Sequence, residues 1–246
     1  MAHNGANTPA RAMHTAALQA DVDELRYALS AGTPVDVREE DFTRSQITPL
    51  MRLCQTCFDA GRNDEASIVA CAELLLAAGA YVDAPDSDGD TPLGFAAGGV
   101  IPRLVQVLLD AGANPNAVGG DGWTPLHWAS RLGCIENVAL LIQHGAAVNA
   151  KAAMDKTPLL YARDRRNYRM YPILLRAGAS LPTFTINDAY IQRVIAAGGW
   201  AKYERLHLDR LTAMLTPRRG PSSPLRRVPP EVIRRIAAYA FHAGYY

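Results

Sequence analysis

Thr-Pro pairs at Thr91-Pro92, Thr124-Pro125 and Thr157-Pro158 stand 33 residues apart, and a fourth, Thr48-Pro49, precedes them. Each is followed at a fixed distance by a second signature: LLLAAGAYVDA at 74–84, LLDAGANPNA at 108–117, LIQHGAAVNA at 141–150 and LLRAGASL at 174–181. A weaker copy, RAMHTAALQADVDELRYALSAGTPVD, occupies 11–36. A period of this size describes a unit too small to bury its own apolar face. The units must stack, each completing the core of the next. That one regularity rules out most folds open to a chain of 246 residues.

The local chemistry of the unit at 121–150 is that of a turn and two helices. Thr124 stands where a helix should cap, and Pro125 takes the first helical position, where a missing N–H costs nothing. Leu126, Ala129 and the small Ser130 allow close helix packing, and Gly145 ends the second helix in the left-handed region. Asp121-Gly122 forms the turn that leads in.

These residues (TPLHWA at 124–129, Gly133, the Leu141-Ile142 pair and HGAAVNA at 144–150) resemble the ankyrin repeat, and the resemblance runs over about residues 10–181. It implies an all-α solenoid of about five units at 11–40, 41–86, 87–119, 120–152 and 153–181. Each would be two antiparallel helices with a projecting finger. In that family the TPLH histidine bonds its turn to the neighbouring unit, so the resemblance gives His127 an architectural role, and His14 the same slot in the degenerate first copy. The second unit carries an insertion: Thr48 to Thr91 is 43 residues, ten above the period, with the excess in CQTCFDAGRNDEAS between its helices. In the fifth unit Leu160 takes the histidine slot, and DRRNYRMY at 164–171 replaces the usual small turn.

Catalytic and metal motifs fare poorly. Cys54-x-x-Cys57 has only Cys71 nearby, whereas structural zinc takes four ligands; MRLCQTCF reads as an amphipathic helix with cysteine in the core. DSDGD at 86–90 lacks the ligand series and closing glutamate of a calcium loop. It coincides with a finger turn. The Gly-Gly pairs lack phosphate-loop spacing, and no GxSxG or HExxH is present. No enzyme activity, cofactor or metal is expected.

A binding module remains. The resemblance puts recognition on finger tips and the exposed side of each first helix, here Asp88, Asp90, Asp121, Trp123, Arg131, Leu132, Met154, Lys156 and Arg165. Trp123 either anchors an interface or packs over the adjacent finger; Trp128 is expected between helices. Another protein is the expected partner, because nucleic acid wants a continuous basic stripe. Charge is unevenly spread: residues 1–100 hold six arginines and fifteen acidic residues, while 200–235 hold nine basic residues and three acidic. Such a dipole steers charged partners.

Beyond the repeats, 182–215 reads as a helical cap, 216–227 as a basic Pro/Ser linker and 228–246 as an amphipathic helix with Val232, Ile233, Ile236 and Phe241 on its apolar stripe. That helix folds back or docks on a partner. VPPEVIRRIAAYAF faintly resembles the end of a SOCS box or the opening of an F-box, which implies an alternative role as a cullin-ligase adaptor. The SOCS pattern also wants an upstream cysteine, and residues 200–216 contain none. Residues 1–10 read as a tail. With no signal-peptide pattern, no membrane-length apolar run and four cysteines, the expected setting is intracellular, cytoplasm or nucleus.

Overall fold

The computed structural model describes residues 9–40, 46–58, 64–181, 188–215 and 231–232. Two compact units divide at Met170/Tyr171.

The first unit is built from α1 (Pro9–Gln19), α2 (Val22–Ser30), β1 (Glu39–Glu40), β2 (Gln46–Ile47), α3 (Pro49–Gln55), α4 (Glu65–Ala77), α5 (Pro92–Ala97), α6 (Pro102–Asp110), α7 (Pro125–Leu132), α8 (Ile135–Gln143) and α9 (Pro158–Asp164). Prolines start α1, α3, α5, α7 and α9, and a threonine caps the last four. Thr48 accepts the Met51 N–H and Thr91 the Gly94 N–H, each satisfying a donor that a helix start leaves open. Helix α1 begins at Pro9, inside the segment expected as a tail, because proline is accepted at a helix start.

These helices stack in two rows: α1, α3, α5, α7 and α9 pack in succession, and so do α2, α4, α6 and α8. The core lies between the rows. Leu25, Leu50, Leu75, Leu93, Leu104, Leu126 and Leu141 are fully or almost fully buried. Among the described residues the architecture is all-α and helix-stacked, apart from short extended pairings such as β1 antiparallel to β2, Glu39 opposite Ile47.

A polar ladder links successive copies of the second signature. The Tyr81 N–H donates to the Asp36 carboxylate (3.0 and 3.2 Å), and the Asn114 N–H to Asp83 (3.0 and 3.2 Å). Asn116 accepts from the Ala147 N–H at 2.7 Å and donates to the Gly145 carbonyl at 3.0 Å. Gly145 itself has φ +85°, following a helix that ends at Gln143. The ladder is not obvious from the apolar residues that mark these copies. The signal was there: a short Asp or Asn side chain recurs at 83, 116 and 149.

The thiols belong to the packing. Cys54, Cys57 and Cys71 are buried; burial pushes Cys57 up to about 12 and Cys71 up to about 11, and holds Cys54 well above the usual thiol range. Thiolates, not thiols, react. Ellman's reagent at pH 7.5 is therefore expected to label the native chain slowly at these three cysteines and completely once urea unfolds it. Fast native labelling at Cys54 or Cys57 would count against a packing role.

The second unit contains α10 (Met170–Arg176, from Tyr171 onward), α11 (Ala189–Ala196) and α12 (Trp200–Leu215). Asp188 caps α11 by accepting the Tyr190 and Ile191 N–H groups, and it also accepts the Tyr171 hydroxyl at 2.8 Å. Tyr171, Tyr190 and Tyr203 follow edge to face at 5.3 and 5.5 Å. These contacts tie residues expected in the 153–181 repeat to the helices that follow it. On α12 Tyr203 is buried and Leu206 is 60% exposed. The 216–227 linker and Ile233, Ile236 and Phe241 lie outside the described residues. Val232 is helical and exposed. Among the described residues no helix is long and apolar enough to cross a membrane.

Candidate interaction surface

Three fingers share one construction. The N–H of the first residue of each five-residue turn donates to the carbonyl of the fifth: Asp86 to Asp90 (2.9 Å), Gly119 to Trp123 (2.8 Å) and Ala152 to Lys156 (2.9 Å). The tips need left-handed backbone, with Gly89 at φ +87°, Asp121 at +55° and Gly122 at +78°, and Met154 at +60°. Fingers touch closely. A Cβ on Gly122 would stand 3.3 Å from Ala152 Cα, so glycine is required there for both reasons.

His127 joins one turn to the next. Its Nδ1 accepts the Thr124 N–H at 3.1 Å and lies 2.9 Å from Thr124 Oγ1, while Nε2 stands 3.1 Å from the Lys156 carbonyl. A neutral ring protonated on Nε2 satisfies both ends. Burial lowers its pKa, against the bond to Lys156. His14 makes the corresponding bond to the Val37 carbonyl at 2.9 Å.

Around His127 lies an aromatic and cationic cluster. The Trp123 ring is 4.5 Å from Trp128 and 4.3 Å from Tyr161, and Tyr161 meets His127 edge-on at 5.6 Å. The Arg131 guanidinium sits over Trp123 at 5.4 Å and Trp128 at 5.8 Å, and the Lys156 ammonium is 5.4 Å from the Tyr161 ring. Such contacts contribute about 0.5–2 kcal/mol each. Trp123 is half-buried within this group. Trp128 is likewise half-buried, beside the fully buried face of α7 made by Leu126, His127, Ala129 and Ser130. Tyr161 had no signal in the sequence, since its contact with Trp123 crosses from one repeat to the next.

Lys156 continues the cluster to Asp164 at 2.8 Å, which Arg163 also grips at 2.7 Å. Burial raises the Asp164 carboxyl, but the bonds from Lys156 and Arg163 outweigh it and leave the pKa below the usual range. Asp90 goes the other way. Burial, then Asp86 and Asp88, push it up to about 6, against an opposing bond from the Trp128 side chain. A raised carboxyl pKa burdens the fold above about pH 6, and the burden vanishes as pH falls toward 3.8. Asp90→Asn is accordingly expected to stabilise the chain by about 1 kcal/mol at pH 7.5, after allowance for solvent screening. At pH 4 the gain should be absent; urea midpoints at the two pH values test this.

The sequence-derived positions fall into two groups. Asp88, Asp90, Asp121, Trp123, Met154 and Lys156 lie on the fingers, with Met154 81% exposed. Arg131, Leu132 and Arg165 lie at the far ends of α7 and α9. An eight-residue helix such as α7 separates its ends by about 12 Å. Arg131 reaches back to the tryptophans, whereas Leu132, the last residue of α7, and Arg165, just past α9, border the loops that follow. Thr124 and Gly145 occupy the helix-start and helix-end positions described above.

Stacked helix pairs, finger turns and the histidine link define the chain as a helical-repeat protein. A family model of ankyrin repeats in three copies matches residues 63–152 and 99–185, together half of the chain, which belongs to the ankyrin-repeat family. No curated protein matches it. As a member of that family the chain is a non-catalytic repeat scaffold, and its architecture fits a protein-binding module.

Proposed function

We propose that the chain is a non-enzymatic interaction scaffold that holds a partner protein on its finger tips and the adjoining face of its first helices. Five repeats and a C-terminal helical cap complete the proposed organisation. The observation that carries the reading is the Trp123–Trp128–Tyr161 cluster with Arg131 and Lys156 over its rings. Rigid aromatics with one wet face lose little entropy on binding and dominate interface energies. Asp88, Asp90 and Asp121 beside them supply the opposite charge and set the register of the partner. Met154, at the next fingertip, adds an adaptable apolar contact.

Affinity capture from native cell extract tests this, comparing the wild-type chain with Trp128→Ala and with Arg131→Glu. Partners retained by the first and lost by both variants support the reading, provided the variants melt cooperatively near the wild-type temperature. Equal retention by all three would remove the cluster from the binding surface. Neither the family match, which covers repeats alone, nor the described residues favour the cullin-adaptor alternative.

A further inference from the structure

The C-terminal ends of α3, α5, α7 and α9, with the described residues that follow them, form a second row opposite their Thr-Pro starts. Contacts hold the row together. The Val100 N–H donates to the Cys57 carbonyl at 3.2 Å, and Cys134 Sγ to the Gly98 carbonyl at 3.4 Å. Asn137 donates to the Ala97 and Gly99 carbonyls at 2.9 and 2.8 Å, and Asn167 to Arg131 at 2.7 Å. Gly98 is the floor on which two apolar side chains meet. A Cβ there would stand 2.7 Å from Leu132 Cδ1 and 2.9 Å from Phe58 Cε1.

The row is unusually apolar for a set of exposed loops. Phe58 is 46% exposed, Val100 57%, Leu132 44% and Tyr168 50%, with Ile135 beside them at 39%. Isolated exposed apolar residues are ordinary, but a continuous group marks a contact surface. At one end stand Arg165, Arg166 and Arg169, all exposed. The acid of that loop, Asp164, is already held by Lys156 and Arg163. Glu136 adjoins Ile135, and Asp64 and Glu65 head α4 at the Phe58 end. Arg103, exposed on the first turn of α6, interrupts these acids, so the positive charge is concentrated at the Arg165–Arg169 end of the row.

We infer that this loop edge is a second docking surface, distinct from the finger face, for an extended peptide segment of a partner protein that is apolar at one end and acidic at the other. Its apolar residues cover Phe58 and Leu132, and its carboxylates meet Arg165, Arg166 and Arg169. Arginine suits this task because its planar fork pairs with carboxylates in two-point fashion. Packed helices lie about 8–10 Å apart, so three steps of the stack span about 24–30 Å. An extended strand rises about 3.3 Å per residue, which makes the fitting segment about eight or nine residues long.

The test uses the full chain and a fluorescein-labelled peptide of about nine residues, leucines and phenylalanine followed by a run of glutamates. A second peptide has lysine in place of every glutamate. Fluorescence polarisation should show binding of the glutamate peptide alone. Arg165→Glu with Arg169→Glu should weaken it by about tenfold or more, and Leu132→Ser should weaken it as well. Because these side chains are exposed, the variants are expected to stay folded, and amide NMR spectra check that. In the same spectra the peptide should shift Phe58, Leu132 and Tyr168 and leave Asp88 and Met154 in place. No binding at millimolar peptide, equal binding of the lysine peptide, or shifts confined to the fingers would each overturn the proposal. So would a wild-type dimer that Leu132→Ser converts to monomer, which would assign the edge to a second copy.

Discussion

Replacing His127 with leucine is expected to destabilise the chain by about 2–3 kcal/mol, a large effect for one side chain. Leucine keeps the volume, and the chain itself uses it at Leu160, the same slot of the next unit. What disappears is hydrogen bonding. The Thr124 N–H loses Nδ1 as its acceptor, and the Lys156 carbonyl keeps only its bond from Ala152. A buried donor left unpaired costs about 1–3 kcal/mol, and the edge contact with Tyr161 at 5.6 Å is lost too. In a chain of this size each kcal/mol moves Tm by about 2–4 °C, so a drop of about 4–12 °C should be seen in a thermal melt. A change below about 2 °C would mean that the histidine does not hold the two turns together.

The same residue predicts a pH dependence. Burial lowers the His127 pKa below 6.5, so the neutral ring contributes its full stability above that value. The contribution is lost as pH falls from 6.5 through the lowered folded value, because a protonated Nδ1 would face the Thr124 donor. His14 is shifted in the same direction by burial, against Val37 and Glu39. The urea midpoint of the wild type should therefore fall between pH 7.5 and pH 5, and by less in His127→Leu. Asp90 works in the opposite sense over part of this range, so Asp90→Asn should steepen the acid loss.

Gly99→Val is expected to cost about 3 kcal/mol or more. Gly99 does not have positive φ, so the cost is steric. A Cβ at Gly99 would collide with Cys57 Cβ and stand 3.2 Å from both the Cys57 and Ala96 carbonyl oxygens. Backbone cannot yield as a flexible side chain does. Valine must push α3 and α5 apart, weakening the Val100–Cys57 bond and the grip of Asn137 on the end of α5. Gly99→Ala should fall between wild type and valine. Equilibrium denaturation of the three proteins orders them, and a valine variant within about 0.5 kcal/mol of wild type would rule out the close approach.

Much of the candidate surface was legible in the sequence, but not its division. Trp123 and Lys156 stand beside finger turns that spacing alone locates. Leu132 and Arg165 looked like neighbours of that face because both end a first helix, yet helix length carries them to the other edge. Tyr161, Phe58 and Asn137 were missed because each acts across a repeat boundary: Tyr161 on Trp123, Phe58 with Leu132 over Gly98, Asn137 on Ala97. Repeat spacing says that units stack. It does not say which side chains then meet.

Local chemistry determined the rest. Thr and Pro start a helix, Gly ends one and Asp-Gly turns the chain, all through interactions within a few residues, so a 33-residue recurrence of these signals dictated helix pairs in a row. Only the tertiary structure decided how Trp128 packs on Trp123 and why Tyr171 joins Asp188. It also brought Phe58 and Leu132, from different repeats, together over Gly98. Those outcomes depend on packing between units, where burial and close approach are settled by neighbours that the linear order does not reveal.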